Sequence, residues 1–227
     1  MKKILTLMLL LVFPCVAFSQ DSSDISQTSI ESANKVSLKT RKIALESSVL
    51  VETQSGYGSG NYFKIDKMLF VITAAHVVDS LKYVNIHTDK EAVIGAVIFK
   101  DDAADYAVIS VPKIESRKPA EFKKRSEKNL VGEMVCYAGF PNRQDLLFFT
   151  GNVSRVDKKV INIHSYGWMG ASGSAVFDAN GKLVGIISAV EVGRFGRSYQ
   201  LIEDVVWLTP ARLIDEKRII ETISKNQ

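Results

Sequence analysis

Ser172 has the setting of a catalytic nucleophile. It lies in the segment Gly170-Ala171-Ser172-Gly173-Ser174, where flanking glycines permit a tight turn. A serine hydroxyl attacks a carbonyl carbon when an adjacent base, most often histidine, removes its proton. All the histidines precede Ser172 in the chain, at His76, His87 and His164. A Ser-His-Asp system must therefore run in the order His, Asp, Ser, which excludes the α/β-hydrolase order, where the histidine comes last.

His76 is the candidate for the base. It follows an apolar, β-branched run from Phe70 to Thr73 and then two alanines, Ala74 and Ala75. Small residues at that point allow close packing behind the imidazole ring, which would hold a base still. The alternative is a histidine whose hydrogen bonds are satisfied within the core at the end of a strand.

Asp105 is the candidate for the carboxylate that orients the base. Such a group must be partly shielded from water and still ionised. Asp105 follows an alanine and leads directly into the apolar strand that starts at Tyr106, whereas Asp101 and Asp102 are typical of an exposed turn.

Two backbone N–H groups, those of Gly170 and Ser172, are candidates for an oxyanion hole. Gly173 helps to form the turn that aims them at one point. Loss of one such donor typically raises the barrier by about 2.7–4 kcal/mol. Ser174 is an alternative nucleophile, but no glycine stands two residues before it, as Gly170 does before Ser172. A Gly-Ser segment alone could be an ordinary loop; the combination with His76 and Asp105 indicates nucleophilic catalysis.

The elements that must position these residues are mostly short strands. From Ser48 onward, about a dozen runs of β-branched and aromatic residues alternate with turn formers. This pattern predicts a barrel or sandwich rather than βαβ units. Thr209-Pro210 is typical of a helix start and predicts a closing helix over 210–224. The polar stretch 116–129 predicts a linker between two halves.

The N-terminus predicts a signal peptide. A short cationic start precedes an apolar run from Ile4 to Phe18 that is too short to span a bilayer easily. We expect cleavage after Ser19, export from a bacterial cell to the periplasm or the medium, and no membrane anchor afterwards. A lipoprotein anchored at Cys15 and an uncleaved anchor are the alternatives. Residues 20–45 predict a polar arm.

The charge and the cysteine content limit the partners. Removing residues 1–19 takes two of the 29 basic residues and none of the 25 acidic ones, which leaves a net charge of +2 and no basic tract. Nucleic acid is therefore not an expected partner. Cys136 would be the one remaining cysteine, so the domain would hold no internal disulfide. Its apolar surroundings predict a small buried hydrophobe, with a reactive thiol as the alternative.

Together these motifs resemble those of the trypsin-like serine proteases, and more narrowly the bacterial HtrA-like and glutamyl-endopeptidase-like members. The similar segments are Thr73-Ala74-Ala75-His76, Asp105-Tyr106-Ala107-Val108, Gly170 to Ala175, Gly58-Ser59-Gly60, Gly151-Asn152-Val153-Ser154, Leu183 to Ser188 and Leu208 to Ala211. The resemblance covers about residues 46–224 and implies a protease domain over 46–227. It implies an all-β fold of two six-stranded antiparallel β-barrels, about 46–115 and 130–208, with the site between them and a short C-terminal helix.

The resemblance also implies the chemistry. It makes the chain a serine endopeptidase that hydrolyses peptide bonds of protein or peptide substrates, with His76 as base, Asp105 as its partner and Ser172 as nucleophile. The N–H groups of Gly170 and Ser172 would form the oxyanion hole. No cofactor and no metal are needed.

The sequence departs from the family in two places. Ser174 stands where the family usually has glycine, and a side chain there could narrow the site. Ala171 stands where the animal digestive members carry an acid that pairs with a newly cut N-terminus. We therefore expect activity without cleavage before Ile43. We expect no peptide-binding PDZ domain, and the sequence carries no signal for an oligomeric state.

The resemblance places the primary specificity pocket between Tyr166 to Met169 and the strand Ile187-Ser188-Ala189-Val190. No carboxylate stands at Tyr166, which disfavours a demand for Lys or Arg before the cleaved bond. Ile187 stands where a glutamate-specific member has histidine. A small or aliphatic P1 residue is therefore favoured, and His164 could approach this pocket.

Two other interpretations stay open at this point. One is a catalytically inactive or latent peptide-binding pseudoprotease on the same fold, in which the turn around Ala171 and Ser174 is collapsed. The other is a non-proteolytic envelope protein in which the triad pattern arises by chance. That interpretation requires His76, Asp105 and Ser172 to lie apart in space.

Overall fold

The computed structural model describes residues 36–225, which are built almost entirely from strands. The helices are α1 (Leu38–Ser47), α2 (Ala75–Val78) and α3 (Glu216–Lys225), with 3₁₀ turns at Pro141–Arg143 and Ala211–Leu213. The strands are β1 (Ser48–Glu52), β2 (Tyr57–Ile65), β3 (Met68–Thr73), β4 (Tyr83–His87), β5 (Ala92–Asp101), β6 (Tyr106–Ser110), β7 (Ala120–Glu121), β8 (Met134–Gly139), β9 (Leu147–Val156), β10 (Ile161–His164), β11 (Ala175–Asp178), β12 (Leu183–Phe195) and β13 (Ser198–Pro210). No helix in this range is long and apolar enough to cross a bilayer.

Six strands close the first barrel in the order β1-β4-β5-β6-β3-β2, with β2 pairing back to β1. Strand β7 adds a short parallel pair to β2. Valine and isoleucine fill this barrel because their branched side chains pack well on a pleated surface. Its fully buried side chains include Val49, Val51, Val71, Ile86 and Ile109.

The second barrel closes in the order β10-β13-β12-β11-β8-β9. Its interior is again apolar, with Val135, Val153, Ile161, Ile163 and Leu208 fully or almost fully buried. Closure removes free sheet edges within the barrel, while β12 and β13 continue beyond it as a hairpin. The prediction of an all-β fold with two six-stranded antiparallel barrels and a short C-terminal helix is confirmed.

A third apolar cluster joins the two barrels. It brings Phe63 of the first barrel against Phe177 of the second, and Phe70 packs on Phe63. The C-terminal helix adds Ile219 and Ile223, which lie on its buried face. Since large aromatic side chains dominate the burial energy of a core, this cluster fixes one barrel against the other.

Three segments look different from their sequence-based description. Residues 38–47, at the end of the predicted arm, form α1, whose buried face consists of small residues and therefore shows no apolar periodicity. The C-terminal helix starts at Glu216 rather than at 210, because Thr209 and Pro210 still belong to β13. The stretch 116–129 contains β7 and the buried Phe122.

Candidate active site

His76 and Asp105 meet at the mouth of the first barrel. His76 lies in the short helix α2, which follows β3, and Asp105 ends the turn between β5 and β6. Nδ1 of His76 lies 3.1 Å and 3.0 Å from the two carboxylate oxygens, and the backbone N–H of His76 donates to Oδ1 at 3.1 Å. This pairing places the ring proton on Nδ1 and leaves Nε2 free to accept a proton.

Asp105 is held in its ionised form. Burial raises the pKa of its carboxyl group, but hydrogen bonds from His76 and Ser188 outweigh this and leave the pKa below its ordinary value. The Ser188 hydroxyl donates to Oδ2. Asp101 shapes the preceding turn, because one carboxylate oxygen accepts the N–H groups of Ala103 and Ala104 at 3.0 Å each.

Ser172 and His76 lie beside the same cavity. Both side chains line the same cavity of 280 Å³, together with Tyr57, Met169 and Gly170. No hydrogen bond joins Ser172 to His76 among the contacts of the described residues. Catalytic hydrogen bonds are often long in unliganded enzymes and tighten when substrate binds, so this arrangement is compatible with a nucleophile and its base.

The turn that carries Ser172 requires its glycines. Gly170 has φ +97° and Gly173 has φ +90°, the left-handed region that residues with a Cβ avoid. A Cβ on Gly173 would also lie 2.0 Å from the carbonyl oxygen of Ser59. Ser59 in turn donates its N–H to the carbonyl of Ser172 at 2.7 Å and its hydroxyl to the carbonyl of Gly170 at 2.7 Å. The first barrel thereby fixes the turn of the second.

The two predicted oxyanion donors are free. Within residues 36–225, the N–H groups of Gly170 and Ser172 donate to no carbonyl and no side chain. Free N–H groups on a rigid turn beside a serine hydroxyl can bind the negative oxygen of a tetrahedral intermediate.

The family follows from comparison with known proteins. The model of the trypsin-like peptidase domain matches residues 58–186, more than half of the chain. The chain belongs to the trypsin-like peptidase family. It is therefore a serine protease, a hydrolase, as its motifs predicted.

Solved structures of serine proteases share the fold of this trypsin-like peptidase. Rv3671c protease from M. tuberculosis, in its inactive form, aligns with a TM-score of 0.64 at 17% identity, over 84% of this chain and 93% of that chain. The serine endoprotease from Yersinia pestis aligns with a TM-score of 0.62 at 18% identity, over 83% of this chain and 66% of that chain. Comparison with curated proteins gives no match.

Ser174 of the peptidase does not face the cavity. Its side chain is fully buried, and its Oγ has no hydrogen-bond partner among the described residues. Gly139 makes room for this hydroxyl, because a Cβ on Gly139 would lie 2.2 Å from it. The fold thus has room for a serine at position 174 because Gly139, on the neighbouring strand β8, has no side chain.

The peptidase offers no acidic partner for a cut N-terminus at the position before Ser172. Ala171 is fully buried. Ile43 lies inside α1, so that cleavage before it would cut the helix. Independence from such cleavage stays a prediction.

The residues predicted to form the specificity pocket have different neighbours, and the pocket itself stays a prediction. Ser188 turns its hydroxyl to Asp105, a role that no local pattern in the sequence indicates. Val190 lies beside Gly167, where a Cβ would approach Val190 Cγ2 at 3.0 Å and Val206 Cγ2 at 2.6 Å. Ala189 is exposed and pairs with Trp207.

The Tyr166 ring stacks on Phe149 with centroids 5.5 Å apart. It lines a separate cavity of 750 Å³ together with His164 and Phe195. His164 therefore lies beside that second cavity. Residues 36–225 contain no group of three or more His, Cys, Asp or Glu side chains that could hold a metal ion.

Proposed function

We propose that the protein is an exported serine endopeptidase in which His76, Asp105 and Ser172 form the catalytic triad. The observation that carries this proposal is the pairing of His76 with Asp105 beside the cavity that Ser172 also lines. A chance pattern would not bring these three residues together from positions 29 and 67 residues apart in a chain of 227.

The geometry supports the following steps. Nε2 of His76 takes the proton of the Ser172 hydroxyl as Oγ attacks the carbonyl carbon of the substrate, and the carbonyl oxygen becomes negative. The N–H groups of Gly170 and Ser172 stabilise that oxygen. His76 then gives the proton to the departing amine, and the acyl group stays on Ser172 until water, activated by the same imidazole, hydrolyses it. Asp105 stabilises the imidazolium in both steps.

Strand β12 supports an extended substrate. Its pairing with β11 ends at Ile186, Ser188 lies at a bulge, and from Ala189 to Phe195 it pairs only with β13 among the described strands. The free edge begins directly after Ser188, the residue that binds Asp105. A peptide in extended form could therefore add to this edge by main-chain hydrogen bonds and reach Ser172.

A small or aliphatic P1 side chain is the proposed preference. Val190 and Val206 lie close to Gly167, and these apolar side chains suit a small or aliphatic group better than a charged one. We expect the kcat/KM for a peptide with Phe at P1, relative to Ala, to rise about tenfold in Val190→Gly, since a few methylenes in an apolar pocket have effects of this size. An unchanged ratio would place the P1 pocket elsewhere.

Labelling with a fluorophosphonate tests the triad. We expect the purified protein to react and both Ser172→Ala and His76→Ala to lose the reaction. Two control variants should keep it: Ser174→Ala, from the same segment, and His164→Ala. A folded parent that does not label would favour a latent or inactive site. If the parent does label, a quenched peptide whose two ends are blocked separates the two kinds of activity. Cleavage within this peptide shows endopeptidase activity, because an exopeptidase needs a free end.

Export is part of the same proposal. It is supported by the cationic start and the apolar run Ile4 to Phe18, which lie outside the described residues. Protein recovered from a bacterial host should begin at Gln20 and be found outside the cytoplasm. An intact Met1 on the recovered protein would contradict cleavage.

A further inference from the structure

We infer that the ion pair between Arg143 and Glu52 is a latch that orients the Gly170 N–H as an oxyanion donor. Arg143 is on this view a positioning residue, since it acts through the neighbouring peptide and touches no substrate. The inference rests on the proposed function, because it explains how one of the donors in that reaction is held.

The peptide between Met169 and Gly170 is the group under control. The backbone N–H of Asn142 donates to the Met169 carbonyl at 2.7 Å. A trans peptide is planar, and its C=O and N–H point in opposite directions. By holding the carbonyl on one side, Asn142 turns the Gly170 N–H to the other side, and both Met169 and Gly170 line the cavity of Ser172 and His76.

Asn142 can do this only in an unusual loop conformation. Asn142 and Arg143 have φ values of 53° and 55°, the left-handed region, in succession. Asparagine tolerates this region, whereas arginine adopts it at a cost, so contacts elsewhere must hold the loop. The contacts of the Arg143 side chain meet this requirement.

Arg143 reaches back to the first barrel. Its guanidinium binds the Glu52 carboxylate and lies over the Tyr57 ring, 5.7 Å from the ring centroid. Glu52 ends β1 and pairs with both Tyr57 and Asn85, so strands on both sides fix its position. Its other carboxylate oxygen lies 2.9 Å from Nε2 of His87.

Tyr57 connects the latch to the turn directly. Its Cε2 atom lies 2.6 Å from the position that a Cβ on Gly170 would take.

Arg143 itself is 59% exposed, and an exposed ion pair adds little to the stability of the fold. The effect of breaking the latch should therefore appear in the reactivity of Ser172 rather than in the unfolding temperature.

The test compares fluorophosphonate labelling rates. Arg143→Gln should label about two- to fivefold more slowly, the range expected for loss of an exposed ion pair. Arg143→Glu, which sets two carboxylates against each other, should label more slowly still. The double variant Glu52→Arg with Arg143→Glu restores the opposite charges and should label faster than Arg143→Glu alone, although the contact of Glu52 with His87 stays lost. Arg155→Gln is the matched control, since Arg155 is similarly exposed, 65% against 59%, and pairs with Asp157.

A second readout separates positioning from general damage. A peptide aldehyde forms a hemiacetal when the Ser172 hydroxyl adds to its carbonyl, and the resulting oxygen uses the oxyanion donors; the matching peptide alcohol forms no such bond. Arg143→Glu should lose affinity for the aldehyde by the same factor as its labelling rate and keep its affinity for the alcohol. A reactive parent whose Arg143→Glu variant labels equally fast overturns the latch alone. An Arg143→Glu variant that loses the same affinity for the aldehyde and for the alcohol also overturns the latch. A folded parent that reacts with neither reagent overturns the proposed function and the latch with it.

Discussion

Single residues of this site act through the hydrogen bonds that hold them. Asp105 has three donors, the ring and the backbone of His76 and the hydroxyl of Ser188. Each favours the ionised carboxylate. The position of His76 therefore depends, through Asp105, on a serine that belongs to the other barrel.

Ser188→Ala should make the protein less stable in a pH-dependent way. The lowered pKa of Asp105 contributes stability above the ordinary pKa of the group, about 3.9, and this contribution is lost as the pH falls through the lowered value. The variant should lose about 1.5 kcal/mol at pH 7, a value typical of a hydrogen bond to a charged group. Thermal unfolding at pH 7 and at pH 3 checks this. A difference that does not shrink at pH 3 would contradict the assignment.

Ser174→Ala should stabilise the protein or leave it unchanged. The Ser174 hydroxyl is buried without a hydrogen-bond partner among residues 36–225, and such a group typically costs about 1–3 kcal/mol. Alanine removes it and leaves a cavity of only one oxygen atom. Denaturant unfolding and the fluorophosphonate labelling rate measure the two effects. A loss of more than 1 kcal/mol would show that the hydroxyl has a partner in solution.

At the scale of elements, polar side chains join helices and strands that are distant in the chain. Asn61 on β2 is fully buried. Its amide nitrogen donates to the Ser47 hydroxyl of α1 at 2.8 Å, and its amide oxygen accepts the N–H of Ala175 on β11 at 2.7 Å. One side chain thus joins the first barrel to α1 and to the second barrel. Its contact in the second barrel, Ala175, lies three residues after Ser172.

Asn61→Ala should destabilise the protein by about 3 kcal/mol. The substitution leaves the Ser47 hydroxyl and the Ala175 N–H buried without the hydrogen bonds that Asn61 provides. Asn85→Ala is the matched control, since Asn85 is exposed on β4. Urea unfolding of the two variants measures the difference. Equal losses would show that the Asn61 amide does not join the barrels in solution.

At the scale of the whole molecule, the two barrels and α3 share one apolar cluster. Cys136 lies in it and is 1% exposed. Burial raises the pKa of the Cys136 thiol to about 12. A reactive thiol, the alternative interpretation of this residue, would need the opposite shift.

The Cys136 thiol should therefore report global unfolding. In a Cys15→Ser protein at pH 8, a thiol reagent should modify Cys136 only as fast as the barrels open. In denaturant it should modify Cys136 at once. Cys136→Ser gives the background rate. Fast reaction of the native protein would show that the shared cluster opens locally.

The strands, the glycine turn and the order His76, Asp105, Ser172 could be predicted from sequence, because each depends on local residue type. β-Branched runs favour strands wherever they fold, and a left-handed turn favours glycine. The apolar pattern could not reveal α1, since the helix buries Thr40, Ala44 and Ser47 rather than large apolar side chains.

Only the tertiary structure decided which groups support the site. Ser188 and Asp105 are 83 residues apart, and Glu52 and Arg143 are 91 apart. Their meeting depends on strand register and on how the barrels pack, which no local pattern encodes. The sequence determined what chemistry the chain carries. The packing of one barrel on the other decided how that chemistry is held in place, because hydrogen bonds and ion pairs depend on distance in space and not along the chain.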